Sequence, residues 1–291
     1  RMRLLICIAQ AALDGPADID EWDKAPEKLP KSAATYLNDK QEVFELFHSQ
    51  KPFLQISDLD PVSEATPVTK LDFALATGNV STLYDHKANK TDLRTFPPEK
   101  LALMMLTYLN FSPGGLISQV KWGHTQTVKS SDGGICIAKS MYHAYVRREN
   151  VLSTVTSNLL TKKTVKTFYK DRWGCPVWDL MPKSFLDRIS IANATETYLG
   201  RLVPLSRLIR LNKDRKTMAL GSTVYEIKEG DKKLHMGIKF LGYPDIQREP
   251  SATAIQVNDE RRLLGAGNKE IWRELPSILV KQHEGDIGGA L

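Results

Sequence analysis

Cysteine is scarce in this chain, with three in 291 residues: Cys7, Cys136 and Cys175. No two of them form a C-x-x-C pair, which excludes the zinc-knuckle and thioredoxin-type motifs that use this spacing. An odd number of cysteines also argues against a disulfide framework, so we expect a reducing, cytoplasmic location and no metal site.

Motifs that mark common catalytic sites are missing as well. The sequence has no G-x-S-x-G element, and its six histidines form no H-x-x-x-H or H-E-x-x-H pair. The glycine pairs Gly114–Gly115 and Gly133–Gly134 match neither phosphate-binding pattern and most often simply make turns. Gly265-Ala-Gly267 lacks the strand–turn–helix context of a nucleotide site. We therefore expect neither an enzyme nor a bound cofactor.

No run of apolar residues is long enough to span a bilayer. The apolar stretch Met2–Leu13 is interrupted by Arg3 and stopped by Asp14-Gly15-Pro16, so no membrane association is expected. Because Arg1 already falls inside this predicted helix, we expect the chain to be a fragment that lacks residues before Arg1, with internal gaps also conceivable.

Basic residues exceed acidic ones by 40 to 34, which gives a formal charge of +6 and a pI near 9.1. This moderate excess suits an anionic partner such as nucleic acid without requiring one. Between Lys162 and Trp173, lysines and arginine alternate with Phe168, Tyr169 and Trp173, a pattern that single-stranded nucleic-acid sites use. A solvated basic face above core aromatics is the simpler interpretation of this pattern.

Hydrophobic periodicity and turn signals predict a mixed α+β chain with irregular connections. The predicted elements are helices at 3–13, 41–47, 67–76, 99–109, 151–160 and 268–280, a strand at 207–211, a hairpin joining 218–220 to 224–228, and a further strand at 234–240. The polar stretch 79–96 shows no periodicity and predicts a long exposed loop, and loops of this length are often functional.

Several phrases, in order, resemble the CasA family, the large subunits of type I-E CRISPR Cascade complexes. They include the helix and stop at 3–16, Phe47-His-Ser-Gln-Lys-Pro-Phe-Leu-Gln55, Thr82-Leu-Tyr-Asp-His86, Asn110-Phe-Ser-Pro-Gly-Gly115 and Tyr198–Arg207. Each phrase is weak alone, but together they run along nearly the whole chain. The resemblance implies one CasA-like N-terminal domain over residues 1–291, truncated at both ends. It also implies that the family's duplex-opening wedge and C-terminal helical bundle come after Leu291.

The resemblance implies a non-catalytic subunit of an RNA-guided antiviral complex. Such a subunit reads the short motif beside the target (the PAM) in double-stranded DNA, helps start R-loop formation, contacts the guide RNA 5′ end and helps recruit a helicase–nuclease. Other Cascade subunits are the remaining implied partners. In RNA-guided systems, base pairing supplies the long sequence match while the protein checks a short motif.

Site residues carry over from the family by position. The motif-reading glycine loop falls on Gly114 and Gly115, whose lack of Cβ atoms allows close approach to a DNA groove. The mobile loop that meets guide RNA and DNA falls on Tyr84, Asp85 and His86. A groove-inserting cation is expected between Tyr243 and Trp272, with three alternatives that the sequence does not resolve: Arg261, Arg262 and Lys269. No zinc site carries over, since the cysteine-rich segment of some members is missing.

Two other classes of function remain open at this point. A nucleic-acid-processing enzyme would need a catalytic dyad, and cleavage by the isolated chain would reveal it. A basic structural subunit of another assembly would bind nucleic acid weakly and with little salt dependence, because genuine phosphate contacts give strongly salt-dependent affinity.

Overall fold

A computed structural model describes residues 1–73, 93–112, 116–129, 134, 136, 141–169, 172–229, 232–237, 249–250, 254–257 and 260–263. The helices in these ranges are α1 Met2–Leu13, α2 Ile19–Asp23, α3 Ala25–Asp39, α4 Pro98–Phe111, α5 Val151–Thr156, α6 Lys162–Tyr169, α7 Arg188–Glu196 and α8 Tyr198–Leu202. No helix in the described ranges has the length and apolarity needed to cross a bilayer.

The strands form small antiparallel sheets. Their bounds are β1 Leu59–Pro61, β2 Thr66–Pro67, β3 Val120–Trp122, β4 Thr125–Gln126, β5 Leu208–Leu211, β6 Thr217–Gly221, β7 Val224–Glu229, β8 Lys232–Gly237, β9 Ala254–Val257 and β10 Glu260–Leu263. Two sheets have three strands, in the orders β1-β3-β4 and β2-β6-β5, and the pairs β7-β8 and β9-β10 form two-stranded sheets. This mixture of helices and small sheets confirms the predicted α+β class.

Helix α1 lies in the centre of the helical part and is confirmed almost residue for residue. Its apolar face buries Ile6, Cys7 and Ala9 in the core, and the helix packs against α3, α5 and α8. It ends where Asp14 adopts the left-handed conformation with φ of 43°, a helix-ending geometry that suits Asp better than most residues.

Helix α4 is the other well-predicted element. Pro98 occupies its first turn, where the missing proline N–H costs nothing, and Leu101, Met105 and Leu109 are fully buried along one face. The helix ends at Phe111 and is capped by Ser112, which comes shortly before the glycine pair Gly114–Gly115 in the sequence.

The predicted hairpin between 218–220 and 224–228 is wrong. Strand β6 pairs with β5 instead, while β7 pairs with β8. A Cβ atom at Gly221 would collide with the Val120 side chain, so the chain passes closely under β3 at this point. The Ser222 hydroxyl then donates to the Val128 carbonyl at 2.7 Å, which directs β7 away from β6.

Two local predictions also needed correction. In its described part, up to Phe73, the helix predicted over 67–76 is replaced by β2 and a short 3₁₀ turn at Val68–Leu71, because Pro67 pairs with Thr217 across the sheet. The helix predicted at 41–47 is a 3₁₀ turn over Gln41–Phe44. Helix α6, which the sequence patterns did not predict, begins after Thr161, whose side chain accepts the N–H of Thr164 at 3.0 Å. The helix predicted at 268–280 lies outside the described residues.

Candidate nucleic-acid interface

Most residues that the sequence assigns to the interface lie outside the described part of the chain. This holds for Tyr84, Asp85 and His86, for the glycine loop Gly114–Gly115, and for Lys269. The backbone at Arg261 and Arg262 is described: both lie on β10, where they are in register with Gln256 and Ile255 of β9. Residues that flank the two loops are described, and their contacts show how these flanking segments are attached to the core.

Described residues ahead of both predicted loops contact the same residue of α4, Tyr108. The ring of Phe73, the last described residue ahead of the long loop, lies 5.8 Å from the Tyr108 ring, centroid to centroid. The backbone N–H of Ser112, the last described residue ahead of the glycine loop, donates to the Tyr108 carbonyl at 2.9 Å. Tyr108 is therefore a common contact of the two segments that lead toward these loops.

The long loop also returns to α4, at its N-terminal end. Phe96 is buried there, and the Lys100 ammonium lies 4.5 Å from the centroid of its ring. Lys100 also approaches the Asp72 carboxylate at 4.0 Å, which links the described segments on either side of residues 74–92. Helix α4 thus contacts both of these segments and also leads to the glycine loop.

Gly134 contacts the base of the glycine loop directly. Its backbone N–H donates to the Ser112 carbonyl at 2.7 Å. A Cβ atom at this position would lie 2.8 Å from the Asn110 carbonyl oxygen and 2.9 Å from the Ser112 nitrogen, which real Cβ atoms essentially never do. The sequence indicated only a turn at Gly133–Gly134, and the requirement for glycine comes from this packing against α4.

The last turn of α4 is held by buried hydrogen bonds. The Ser206 hydroxyl donates to the Leu109 carbonyl, and the Asn110 amide donates to the Leu106 carbonyl at 2.7 Å. Leu109, Asn110 and Ser112 are all buried. Buried contacts in the core, and not solvent-exposed ones, therefore fix the position of the base of the glycine loop.

A buried ion cluster lies next to this turn. Glu249, which is fully buried, forms an ion pair with Arg3 of α1, while Arg201 of α8 is also fully buried. The Arg3 guanidinium further donates to the carbonyls of Leu202 at 2.8 Å and Arg201 at 2.6 Å. No sequence signal pointed to this cluster, since Arg3 and Glu249 are 246 positions apart.

The neighbouring charges determine the ionisation of Glu249. Burial by itself raises the pKa of this carboxyl, but the Arg3 and Arg201 guanidiniums and His143 offset that effect, so the pKa lies below its ordinary value of 4.5. Close by, burial raises the pKa of the Cys136 thiol, which disfavours the reactive thiolate. Glu249 is therefore a buried anion at neutral pH.

Beside the two loops, the surface exposes apolar side chains. Leu116, the first described residue after the glycine loop, is 65% exposed, although the next residue, Ile117, is buried. Phe73 is 45% exposed at the start of the long loop. Apolar side chains next to a backbone-lined loop suit a DNA groove, where proteins often place apolar residues against base steps.

The basic and aromatic stretch from Lys162 to Trp173 is largely a structural feature in its described part. The Trp173 ring packs on the Tyr198 ring, with 5.4 Å between their centroids. The Lys162 ammonium lies over the Trp173 ring and pairs with Asp14 at 2.8 Å, while Arg172 pairs with Glu196. These side chains therefore belong to core packing and surface ion pairs, and the side chains of Phe168 and Tyr169 lie outside the described residues.

In the described ranges no group of three or more His, Cys, Asp or Glu side chains is placed to hold a metal ion. His48 accepts the backbone N–H groups of Gln50 and Lys51 through Nδ1, at 3.2 and 3.0 Å, and His143 contacts the Cys136 carbonyl through Nε2. Both histidines therefore contact backbone groups within the fold. All three cysteines are free thiols.

The family model for CRISPR-associated protein Cse1 matches residues 1–288. The chain belongs to the Cse1 family. This result confirms the resemblance to CasA, since a curated relative from Thermus thermophilus is named "CRISPR-associated protein CasA/Cse1". That relative is 25% identical over 96% of this chain and 51% of its own length.

Solved Cse1 structures have the same fold. Thermobifida fusca Cse1 superposes with a TM-score of 0.63 at 19% identity, over 94% of this chain and 52% of that protein. A chain of a "CRISPR RNA-guided surveillance complex" superposes with a TM-score of 0.60 at 16% identity, over 99% of this chain and 57% of the other. The present chain thus spans about half the length of the Cse1 proteins that it matches.

Proposed function

We propose that this chain is the N-terminal domain, residues 1–291, of a non-catalytic Cse1 subunit in a cytoplasmic RNA-guided DNA surveillance complex. Its role is to read the target-adjacent motif in double-stranded DNA and to help start R-loop formation. Membership of the Cse1 family over residues 1–288 carries this proposal. The similarity to a chain of an RNA-guided surveillance complex supports guide RNA and other Cascade subunits as partners.

Motif reading is assigned to Gly114 and Gly115. The packing at the base of the loop supports this assignment, because a glycine backbone can approach a groove closely only if the base of the loop is held in a fixed position. Here the base is held by Ser112, Gly134 and the last turn of α4, all within the core. The minor groove distinguishes few base pairs, so a main-chain reader tolerates several related motifs.

Contact with the guide RNA 5′ end is assigned to the loop containing Tyr84, Asp85 and His86. An aromatic ring offers a stacking surface to an unpaired base, and Phe73 and Ser112, the last described residues ahead of the two loops, both contact Tyr108. This proximity allows one helix to bring the RNA end and the DNA motif together. Recruitment of a helicase–nuclease after target binding completes the proposed role.

The direct test is a titration of duplex DNA against the complete complex, reconstituted with and without this subunit. Duplexes carrying candidate flanking motifs are compared with a duplex that lacks them, at several salt concentrations. We expect discrimination between the duplexes only when the subunit is present, and affinity that falls steeply with salt. Equal discrimination without the subunit contradicts the proposal, and cleavage by the subunit alone indicates an enzyme instead.

A further inference from the structure

The buried cluster beside the glycine loop contains two arginines and one carboxylate. Arg201 is completely buried, and its Nε and Nη2 atoms have no hydrogen-bond partner among the described residues. Its Nη1 donates to the Thr195 carbonyl at 2.8 Å. Glu249 is a negative charge close to both guanidiniums, and its removal leaves the Arg3–Glu249 ion pair half broken in the interior.

We propose that the Arg3–Glu249 ion pair anchors the base of the glycine loop. Glu249 is then a positioning residue for motif reading, acting through the last turn of α4. This inference rests on the proposed function, and it adds a specific residue that neither sequence motifs nor loop composition indicate.

The connection to the glycine loop runs through Cys136. The Cys136 sulfur lies 3.9 Å from Oε1 of Glu249 and 3.7 Å from Oδ1 of Asn110. Asn110 belongs to the last turn of α4, and Cys136 follows Gly134 by two positions. Glu249 is thus two side-chain contacts away from the base of the glycine loop.

The Arg3–Glu249 ion pair fixes the relative position of segments better than apolar packing does. The planar guanidinium of Arg3 donates in three fixed directions, to Glu249 and to the carbonyls of Arg201 and Leu202. Apolar side chains resist separation but allow sliding, whereas a three-donor fork fixes orientation. The geometry thus sets the relative position of α1, α8 and the segment at Glu249.

The test compares the complete complex carrying wild-type protein with complexes carrying Glu249→Gln and the double variant Arg3→Met/Glu249→Gln. The double variant removes both charges of the pair, and methionine retains much of the length of the arginine stem. The probes are short duplexes with and without the flanking motif that the wild-type complex prefers. Thermal unfolding and complex assembly are measured alongside binding.

We expect the double variant to regain part of the thermal stability lost in Glu249→Gln, because it leaves no half-broken ion pair. Motif discrimination should nevertheless stay reduced in both variants, by roughly threefold to tenfold, with unchanged affinity for the motif-free duplex. Wild-type discrimination in the double variant overturns the inference. Failure of both variants to assemble also overturns it, since the pair then serves the fold as a whole.

Asp179→Asn provides a matched control. It makes the same carboxylate-to-amide change in another ion pair, with Lys40 at 2.6 Å, and this pair makes none of the hydrogen bonds of the cluster. Discrimination should remain at the wild-type value in this variant. Absence of discrimination in the wild-type complex itself defeats the proposed function and this inference together, whereas discrimination that persists in every variant defeats the inference alone.

Discussion

Gly134 donates its backbone N–H to the carbonyl of Ser112 at 2.7 Å, and no side chain fits at this contact. Gly134, the second member of its glycine pair, therefore contacts Ser112, the last described residue before Gly114–Gly115. Glycine at position 134 is required by steric exclusion against α4 and not by turn geometry.

Gly134→Ala should reduce motif discrimination as well as stability. The added Cβ must displace the backbone of Asn110 or Ser112, and such overpacking costs about 1–3 kcal/mol. The measurement combines chemical denaturation with binding of motif-bearing and motif-free duplexes. Gly123→Ala is the control: its φ of +57° makes alanine unfavourable by about 1–2 kcal/mol, but a Cβ atom there would meet no backbone atom closely. Equal discrimination in both variants would contradict the assigned role of Gly134.

Replacing Gly115 or Gly114 by leucine should weaken binding of motif-bearing duplexes without unfolding the protein. A bulky side chain keeps the backbone out of the groove, so the loss should exceed tenfold, or about 1.4 kcal/mol. Binding of both duplexes in the assembled complex is the measurement, with thermal unfolding as the check on folding. The same loss with motif-free DNA argues against motif reading at this loop.

Tyr84→Ala should weaken assembly of the complex on its guide RNA. Loss of one base–aromatic stacking contact is worth about 1–3 kcal/mol, which predicts at least a roughly fivefold rise in the concentration needed for assembly. Tyr145→Ala is the matched control, since Tyr145 is 53% exposed and lies on the segment before α5. Unchanged assembly with Tyr84→Ala removes the RNA assignment from this loop.

Leu116→Glu should weaken binding to any duplex, because it places a negative charge beside the glycine loop. Leu116 is 65% exposed, so the effect on folding stability should stay within about 0.5 kcal/mol. The repulsion should diminish as salt is raised, because counterions screen it. Ile19→Glu on α2, where the side chain is 63% exposed, is the control. Equal DNA affinity for the two variants places Leu116 away from the duplex.

The buried carboxylate also predicts a dependence of stability on pH. The pKa of Glu249 is lowered on folding, so its contribution is complete above its unfolded value of 4.5 and is lost as the pH falls toward the lower folded value. Glu249→Gln should therefore flatten the decline of unfolding free energy between about pH 5 and about pH 3. Denaturant titrations at these pH values measure the decline. Identical slopes for wild type and variant rule out this linkage.

Local sequence patterns predicted the elements whose formation depends on near neighbours. Helices α1 and α4 followed from apolar periodicity together with Asp14-Gly15-Pro16 and Pro98. Strand β5, at Leu208–Leu211, followed from alternation predicted over 207–211. The hairpin that the sequence predicted around Gly221 failed because Val120, about a hundred positions earlier, determines where this segment lies.

The residues of the candidate site also fall into two groups: those that the sequence predicts and those that only tertiary packing brings together. The ordered family phrases identified the Cse1 family, and glycine, tyrosine and basic residue types at matching positions were sufficient to nominate contacts with nucleic acid. The buried support beneath the glycine loop could not be nominated in this way, because Gly134 and Glu249 acquire their neighbours only through packing.

The sequence by itself determined the family, the α+β class and the helices whose apolar faces repeat within a few residues. Only the tertiary structure decided that Phe73 and Ser112 meet at Tyr108, that Gly134 supports the glycine loop, and that Arg3 pairs with Glu249. The physical reason is separation along the chain. A helix is stabilised by neighbours three or four residues away, whereas a buried ion pair spanning 246 positions exists only after the core has closed around it.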